Sequence, residues 1–304
     1  TRALDADGIP SAHLTVVSGA LDGLERVMAA YLRPSDPVVV EDPAFNGTLH
    51  LIGALGLVPV PVPIDDFGLQ PEALVDALAQ GAKALIHTPR AQNPTGAALS
   101  SQRAKALRRV LRGHPDVLVM EDDHAGAVAG TEVETLCLER RQWAIARSYS
   151  KALGPDLRVA VLAGDAVTIA RVEGRIQLGI RWVSHVLQQL VAELLSEKGM
   201  KKRLRGAARC YSERRDALVN ALAKHGISSS GRSGLNVWIP VPAEAAIVSG
   251  LRDAGYGVAA GERFRLRSGP AIRVTIAALM PVDAPAFADT LAGLLGPSQR
   301  GRST

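Results

Sequence analysis

Short apolar runs alternate with stretches of helical periodicity through the first half of the chain, and several of these runs end in a polar cluster. Residues 13–18 (HLTVVS) read as a strand, and after Gly19 the residues Leu21, Leu24, Val27, Met28 and Tyr31 recur at helical spacing. Residues 37–40 give a second buried strand, 44–55 a helix and 57–60 a strand. Pro71 opens a helix with Leu74, Ala77 and Leu78 on one face, as proline suits a first helical turn. Residues 82–87 (AKALIH) form the next strand, and Ser100 or Ser101 caps the arginine-rich helix after it. Residues 117–120 make a continuous apolar strand ending at Glu121-Asp122-Asp123-His124. Strand-like runs at 143–146 and 159–163 flank Lys151. This alternation predicts an α/β fold, a mostly parallel sheet covered on both faces. Ligands of such sheets sit beyond the carboxyl ends of the strands. The clusters Ser18-Gly19-Ala20, Thr88-Pro89-Arg90, Asp122-Asp123-His124 and residues 148–151 all lie there.

From Asp165 onward the pattern changes to long helical stretches, 167–195 and 198–224. A smaller α+β region follows, with strands at 235–240 and 271–276 and helices at 243–254 and 284–295. The expected division is a large domain over 1–190 and a small C-terminal domain over 191–304, with a frayed tail after Gly296. A chain of 304 residues with 47% hydrophobic and 21% charged residues has the composition of a globular protein large enough for two domains. The net charge of +5 gathers in arginine- and lysine-rich clusters that read as solvated helix faces, so charge alone does not argue for nucleic acid. Cys137 and Cys210 lack metal-ligand spacing, so neither a disulfide framework nor a bound metal is expected. Without a membrane-length apolar run or a signal peptide, no membrane association is expected and the default location is cytoplasmic. Opening at Thr1 without methionine, the chain reads as a fragment or processed product.

Lys151 lies in a loop of hydroxyls and glycine between two strands. A lysine so placed can lose water, lower its pKa and act as a nucleophilic amine that forms a Schiff base; on its own, the same placement also suits a loop-tip lysine. Ser18-Gly19-Ala20 is a strand-to-helix turn whose backbone N–H groups suit a phosphate, with Ser148 and Arg158 as further partners. Asp122, at the end of a buried strand, can pair with a protonated ring nitrogen. Gly255-Tyr256-Gly257-Val258-Ala259-Ala260 fits G-x-G-x-x-A but follows a helix-like segment, the wrong context for a dinucleotide. No G-x-S-x-G or Walker A sequence is present, which leaves hydrolase and NTPase readings without a nucleophile or phosphate loop. Arg90 can either meet an acidic ligand group or sit on the surface at a strand end.

The run Asn93-Pro94-Thr95-Gly96, then Asp122, then Ser148-x-x-Lys151, resembles fold type I pyridoxal phosphate enzymes, and among them class I/II aminotransferases. Order and spacing agree from Ser18 to Arg273. The resemblance implies a large domain with a mostly parallel, seven-stranded-type sheet, a smaller α+β domain, and pyridoxal 5'-phosphate as cofactor. It implies that Lys151 is the Schiff-base lysine and proton shuttle, Asp122 the partner of the pyridine nitrogen, and Phe45 the ring-stacking aromatic. Asn93 takes the place of the amide at O3′, Ser18, Gly19, Ala20, Ser148 and Arg158 that of the phosphate cradle, and Arg273 that of the substrate carboxylate clamp. His124 stands where the family commonly has a tyrosine near O3′. The runs Glu121-Asp122-Asp123-His124 and 150–158 look most like the MocR branch of GntR-type regulators, which join a winged helix-turn-helix to an aminotransferase-like domain. Two readings follow. One is an aminotransferase-like module acting on an amino acid or amine as a homodimer. The other is an effector-sensing domain that binds the cofactor without efficient turnover and reaches DNA only through a domain not present in this chain. The resemblance also leaves out the N-terminal segment that closes the substrate gate in aminotransferases.

Overall fold

The computed structural model describes residues 2–296. The frayed tail expected after Gly296 lies outside the described residues. The first element is a short helix, α1 (Arg2–Ala6), which the sequence pattern did not mark. It continues through β1 (Leu14–Val17), α2 (Ala20–Tyr31), β2 (Pro37–Asp42), α3 (Asn46–Ala54), β3 (Val58–Asp65) and a two-residue β4 (Gly68–Leu69). Then come α4 (Pro71–Ala79), β5 (Ala84–His87), α5 (Ser101–Arg112), β6 (Leu118–Asp123), β7 (Trp143–Ser148) and β8 (Ala160–Gly164). These strands form one sheet in the order β1-β8-β7-β6-β5-β2-β3-β4. Strands β3, β2, β5, β6 and β7 run parallel, and β8 is antiparallel to both neighbours. The mostly parallel α/β architecture is the predicted one, seven longer strands with β4 as a short addition at the edge.

Side chains of a strand alternate between faces, so a strand covered on both sides must be apolar at every position. Val39, Leu85, Val119 and Ile145 pack on one face against Leu74 and Leu78 of α4 and Leu107 and Leu111 of α5. Val38, Val40, Ile86, Leu118 and Met120 pack on the other against Leu24 and Val27 of α2 and Ile52 of α3. Helix α5 is capped by Ser100, whose side chain accepts from the Arg103 N–H. Strand β6 runs three residues past the expected end at Met120 and carries Glu121, Asp122 and Asp123 into the interior. Strand β3 likewise runs on to Asp65 rather than ending at residue 60.

The stretch 167–195 is two helices rather than one, α6 (Ala166–Leu178) and α7 (His185–Ser196), broken at the Gly179 cap. They are followed by α8 (Met200–Lys224), β9 (Asn236–Pro240), α9 (Glu244–Asp253), β10 (Ala259–Ala260), β11 (Ala271–Thr275) and α10 (Ala284–Leu295). The antiparallel sheet β10-β11-β9 has its own core, with Leu218 and Leu222 of α8, Ile239, Ile272, and Phe287 and Leu291 of α10.

Two interlocks hold this second sheet against the strand ends of the first. Asp42 accepts from the backbone N–H groups of Leu266, Arg267 and Ser268 at 2.8–2.9 Å, and the Ala44 N–H donates to the Phe264 carbonyl at 2.7 Å. At the Asn93-Pro94-Thr95-Gly96 loop, the Ser233 hydroxyl accepts from the Ala91 N–H and donates to the Gly96 carbonyl, both at 2.8 Å. Gly96 has φ +73°, and a Cβ there would lie 2.8 Å from the Ser233 carbonyl oxygen, so only glycine fits. Among the described residues no helix is long and apolar enough to cross a membrane.

Candidate active site

The three carboxylates of β6 divide between the two faces of the sheet. Asp123 is fully buried and bonds to Arg90 Nε at 2.9 Å and Arg147 Nε at 2.7 Å. Burial alone would raise its pKa, but the two guanidiniums outweigh burial and hold it at about 2. Both arginines also reach Asp7, and Arg147 donates to the Ala3 carbonyl, so the network ties the N-terminal helix to β6. Arg90 is therefore neither a surface residue nor free to meet an acidic ligand; at 4% exposure it is spent on Asp123. Glu121 accepts from Thr135 Oγ1, the Leu136 N–H and His87 Nε2.

Asp122, between them, points to the opposite face. Its Oδ1 is buried with no hydrogen-bond partner among the described residues. Burial pushes its pKa up, His124 opposes the rise and Asp123 adds to it. Both ring nitrogens of the half-buried His124 are likewise without partners among the described residues. Buried polar atoms normally find partners, and an exception marks strain, unseen solvent or a place for a ligand.

The Ser18-Gly19-Ala20 turn opens α2. Gly19 caps it with φ +103°, a conformation that only glycine adopts freely. A Cβ at Gly19 would lie 2.6 Å from Arg158 Nη2, and that atom donates to the Ser18 carbonyl at 3.3 Å. Arg158 itself sits in the left-handed region after the turn Pro155–Leu157. The structure thus joins Ser18, Gly19, Ala20 and Arg158 at one helix N-terminus, where the Ser18 N–H is taken by Asp22 Oδ2 at 2.9 Å.

Ser148 ends β7, next to β6, and its hydroxyl accepts from the Ser150 N–H at 3.2 Å. Lys151 follows in a surface turn closed by the Ala152 and Leu153 N–H groups on the Tyr149 carbonyl. Its side chain is exposed, so the expected loss of water at Lys151 is not met by the protein atoms alone.

Arg273, on β11, donates to Asn93 Oδ1 at 3.0 Å and lies over the Phe264 ring at 4.8 Å. Its Nε is buried without a partner among the described residues, and its pKa is lowered by burial and then by Arg263. Phe45 caps α3 and packs beside Trp238, Phe264 and Ala271. Phe45 and Asp122 line one cavity together with Val40, Glu41, Ala44, Thr48, Ile86, His87 and Thr88.

Glu41 and His87 are site residues that motif reasoning passed over. The signal was present: each closes an apolar strand run, VVVED and ALIH. A broader depression elsewhere is lined by Arg108, Arg112, Arg140 and Arg141, but Arg140 is used on the carbonyls of Leu111, His114 and Val117 at the end of α5.

Residues 7–291 match the profile of a family described as aminotransferase class I and II. The chain is 40% identical over 278 residues to the vitamin B6 salvage pathway transcriptional repressor PtsJ of Salmonella typhimurium, covering 90% of this chain and 64% of that protein. It is 30% identical over 251 residues to the mitochondrial kynurenine/alpha-aminoadipate aminotransferase of Rattus norvegicus, covering 75% of this chain and 59% of the relative. The chain thus spans less than two thirds of either relative. A crystal structure of kynurenine aminotransferase from Pyrococcus horikoshii superposes with a TM-score of 0.86 at 23% identity, over 96% of this chain and 77% of that one.

Proposed function

The chain belongs to the aminotransferase class I and II family, and on that premise we propose that it is a pyridoxal phosphate-binding module that takes an amino acid or amine at Lys151. The observation that carries the reading is the buried Asp122 carboxylate beside Phe45 at the strand ends, whose Oδ1 has no partner among the described residues. The residues suit the group. Asp122 would meet the pyridine nitrogen, and a cation there would relieve the burial that now raises its pKa. The turn at Ser18, Gly19 and Ala20, with Arg158 and Ser148, would hold the phosphate, Phe45 would cover the ring, and Asn93 and His124 would face its hydroxyl side. When bound, pyridoxal phosphate supplies an electron sink for the charge left when a bond at the amino-acid Cα breaks. Lys151, on the turn beside Asp122's strand, would hold the cofactor aldehyde and then carry the Cα proton on its amine. Arg273, already fixed by Asn93 and Phe264, would grip the α-carboxylate.

Purified protein given pyridoxal 5'-phosphate should show the visible absorbance band of lysine-bound cofactor, and Lys151→Ala should lose it. An unchanged band in the variant would sink the reading.

A second reading has its own support in the 40% identity to a transcriptional repressor. In it the same site senses a ligand, and DNA is contacted by another part of a longer polypeptide. Keto-acid formation on adding amino acids separates the two readings. Turnover yields keto acid, whereas sensing shifts the band without it.

A second copy of the chain is the partner we assign to the surface around α6 and α7. Leu178, Ile180, Trp182 and Val186 are exposed there, at 88%, 51%, 58% and 77%, and such a row of large apolar side chains favours burial against a partner. Light scattering should give a dimer that Leu178→Asp with Val186→Asp converts to monomer; a monomeric parent protein would remove this assignment.

A further inference from the structure

The arginine-lined depression belongs to the other end of the sheet from Asp122 and Ser148. Strands β6 and β7 run parallel, and the segment before β7 meets the end of α5 at the strand starts. Between them lies a cavity of about 120 Å³. Four guanidiniums line it, Arg108 and Arg112 from α5 and Arg140 and Arg141 from the segment, against one carboxylate, Glu139. Pro115 and Leu138 add apolar wall.

A helix C-terminus draws cations to its last carbonyls. That preference accounts for Arg140, whose two Nη groups donate to the carbonyls of Leu111, His114 and Val117 at 2.6–2.7 Å. Arg108 is engaged as well, by the Thr135 carbonyl at 2.6 and 2.8 Å and by Glu134 at 3.4 Å. The other two are not so held. The Arg141 guanidinium, outside the helix, makes no hydrogen bond or ion pair among the described residues. Arg112 has only Glu139, at 3.9 Å, longer than a hydrogen bond, and the two side chains are 70% and 79% exposed. Arg140 Nε is buried without a partner among the described residues. Burial lowers the pKa of Arg140, while Cys137 and Asp116 oppose the fall, and an anion in the cavity would oppose it further.

We propose that this cavity is a site for a phosphate dianion, free or as the head of a small organic phosphate. Arg112 and Arg141 close on its oxygens from α5 and from the segment before β7, their planar forks matching the oxyanion. Arg140, immobilised by the helix carbonyls, supplies fixed positive charge, and Pro115 and Leu138 receive the adjoining part of an organic phosphate. A phosphate monoester carries about −1.5 to −2 charge near neutrality and has three strong acceptor oxygens, which suits three guanidiniums better than the two oxygens of a carboxylate. The assignment does not depend on the pyridoxal phosphate reading. Strand β1 runs the same way as β7, so the turn at Gly19 lies at the other end of the sheet, with Ser148.

The test is equilibrium dialysis of labelled inorganic phosphate, at constant ionic strength set with chloride, in the parent protein and in Arg112→Gln with Arg141→Gln. Both proteins keep the turn at Gly19, so phosphate held there is common to the two and cancels. The expected result is one further phosphate per chain in the parent, bound about tenfold or more weakly by the variant. Both substituted side chains are exposed, and matching urea midpoints in phosphate-free buffer check that the variant is intact. Glycerol 3-phosphate as competitor identifies the source of the anion. Displacement at lower concentration than unlabelled phosphate marks an organic phosphate, and at equal or higher concentration the free ion. In the parent alone, phosphate should slow amide hydrogen exchange over residues 109–113 and 138–141, the two segments it joins. Equal phosphate uptake by the two proteins, or unchanged exchange over both segments, would overturn the site and leave the cofactor reading untouched.

Discussion

Replacing Asp123 by alanine is expected to lower the unfolding free energy by about 3–5 kcal/mol, because it strands two buried guanidiniums. Arg90 and Arg147 are each about 4% exposed and both converge on Asp123, leaving only the more open Asp7 as a charged partner in the variant. Urea denaturation of the two proteins measures the difference; a loss under about 1 kcal/mol would mean the network is no stronger than a surface pair. The sign of the pH dependence follows from the low pKa. Because folding depresses Asp123 from 3.8 to about 2, its stabilisation is present above pH 3.8 and is lost as pH falls toward 2. The shift corresponds to about 2 kcal/mol. The alanine variant should lose that acid-limb slope. Asp7→Ala, which removes a carboxylate already a third exposed, should cost less.

Asp122→Asn should have the opposite effect on the free protein while weakening cofactor binding by about a hundredfold or more. Asp122 is buried with an unpartnered oxygen and a raised pKa, so its ionised form costs stability at every pH above its unfolded value of 3.8. An amide of the same shape carries no such penalty. Denaturation should therefore show the variant equal to or more stable than the parent, with the gain growing as pH rises. Spectroscopic titration with pyridoxal 5'-phosphate should show the lost affinity. A variant that is less stable yet binds normally would mean Asp122 is a structural carboxylate. Stability given up at a site in exchange for ligand recognition is the expected pattern there.

These two neighbours also show what could be read before the fold was known. Local pattern was enough for α4, α5 and α10, whose apolar spacing and Pro71 or Ser100 signals depend only on nearby residues. It was enough for the parallel sheet, since VVV and ALIH runs have no exposed face to give. It failed where partners are distant in sequence. The apolar run of β6 ends at Met120, and the residues that let the strand continue beyond it, Arg90, Thr135 and Arg147, lie up to 33 positions away. The break at Gly179 was missed because the apolar spacing resumes in phase beyond it. At the candidate site, Phe45, Asn93, Asp122, Arg158 and Arg273 could be named from linear motif order, and of these the fold sets Phe45 and Asp122 on one cavity and pairs Arg273 with Asn93. Glu41 and His87 depend on strand register, and register is a property of the folded sheet. Arg90 was open to two readings, and neither anticipated its burial against Asp123.

The anchoring of α1 has a mechanical side. Residues 3–7 are fastened through Arg147 and Arg90 to Asp123, while the preceding residue, Asp122, faces the ligand cavity on the other side of the sheet. The two residues are successive positions of a strand paired on both sides, by β5 and by β7. A load on residues 3–7 therefore bears on the same strand that presents Asp122 on its other face.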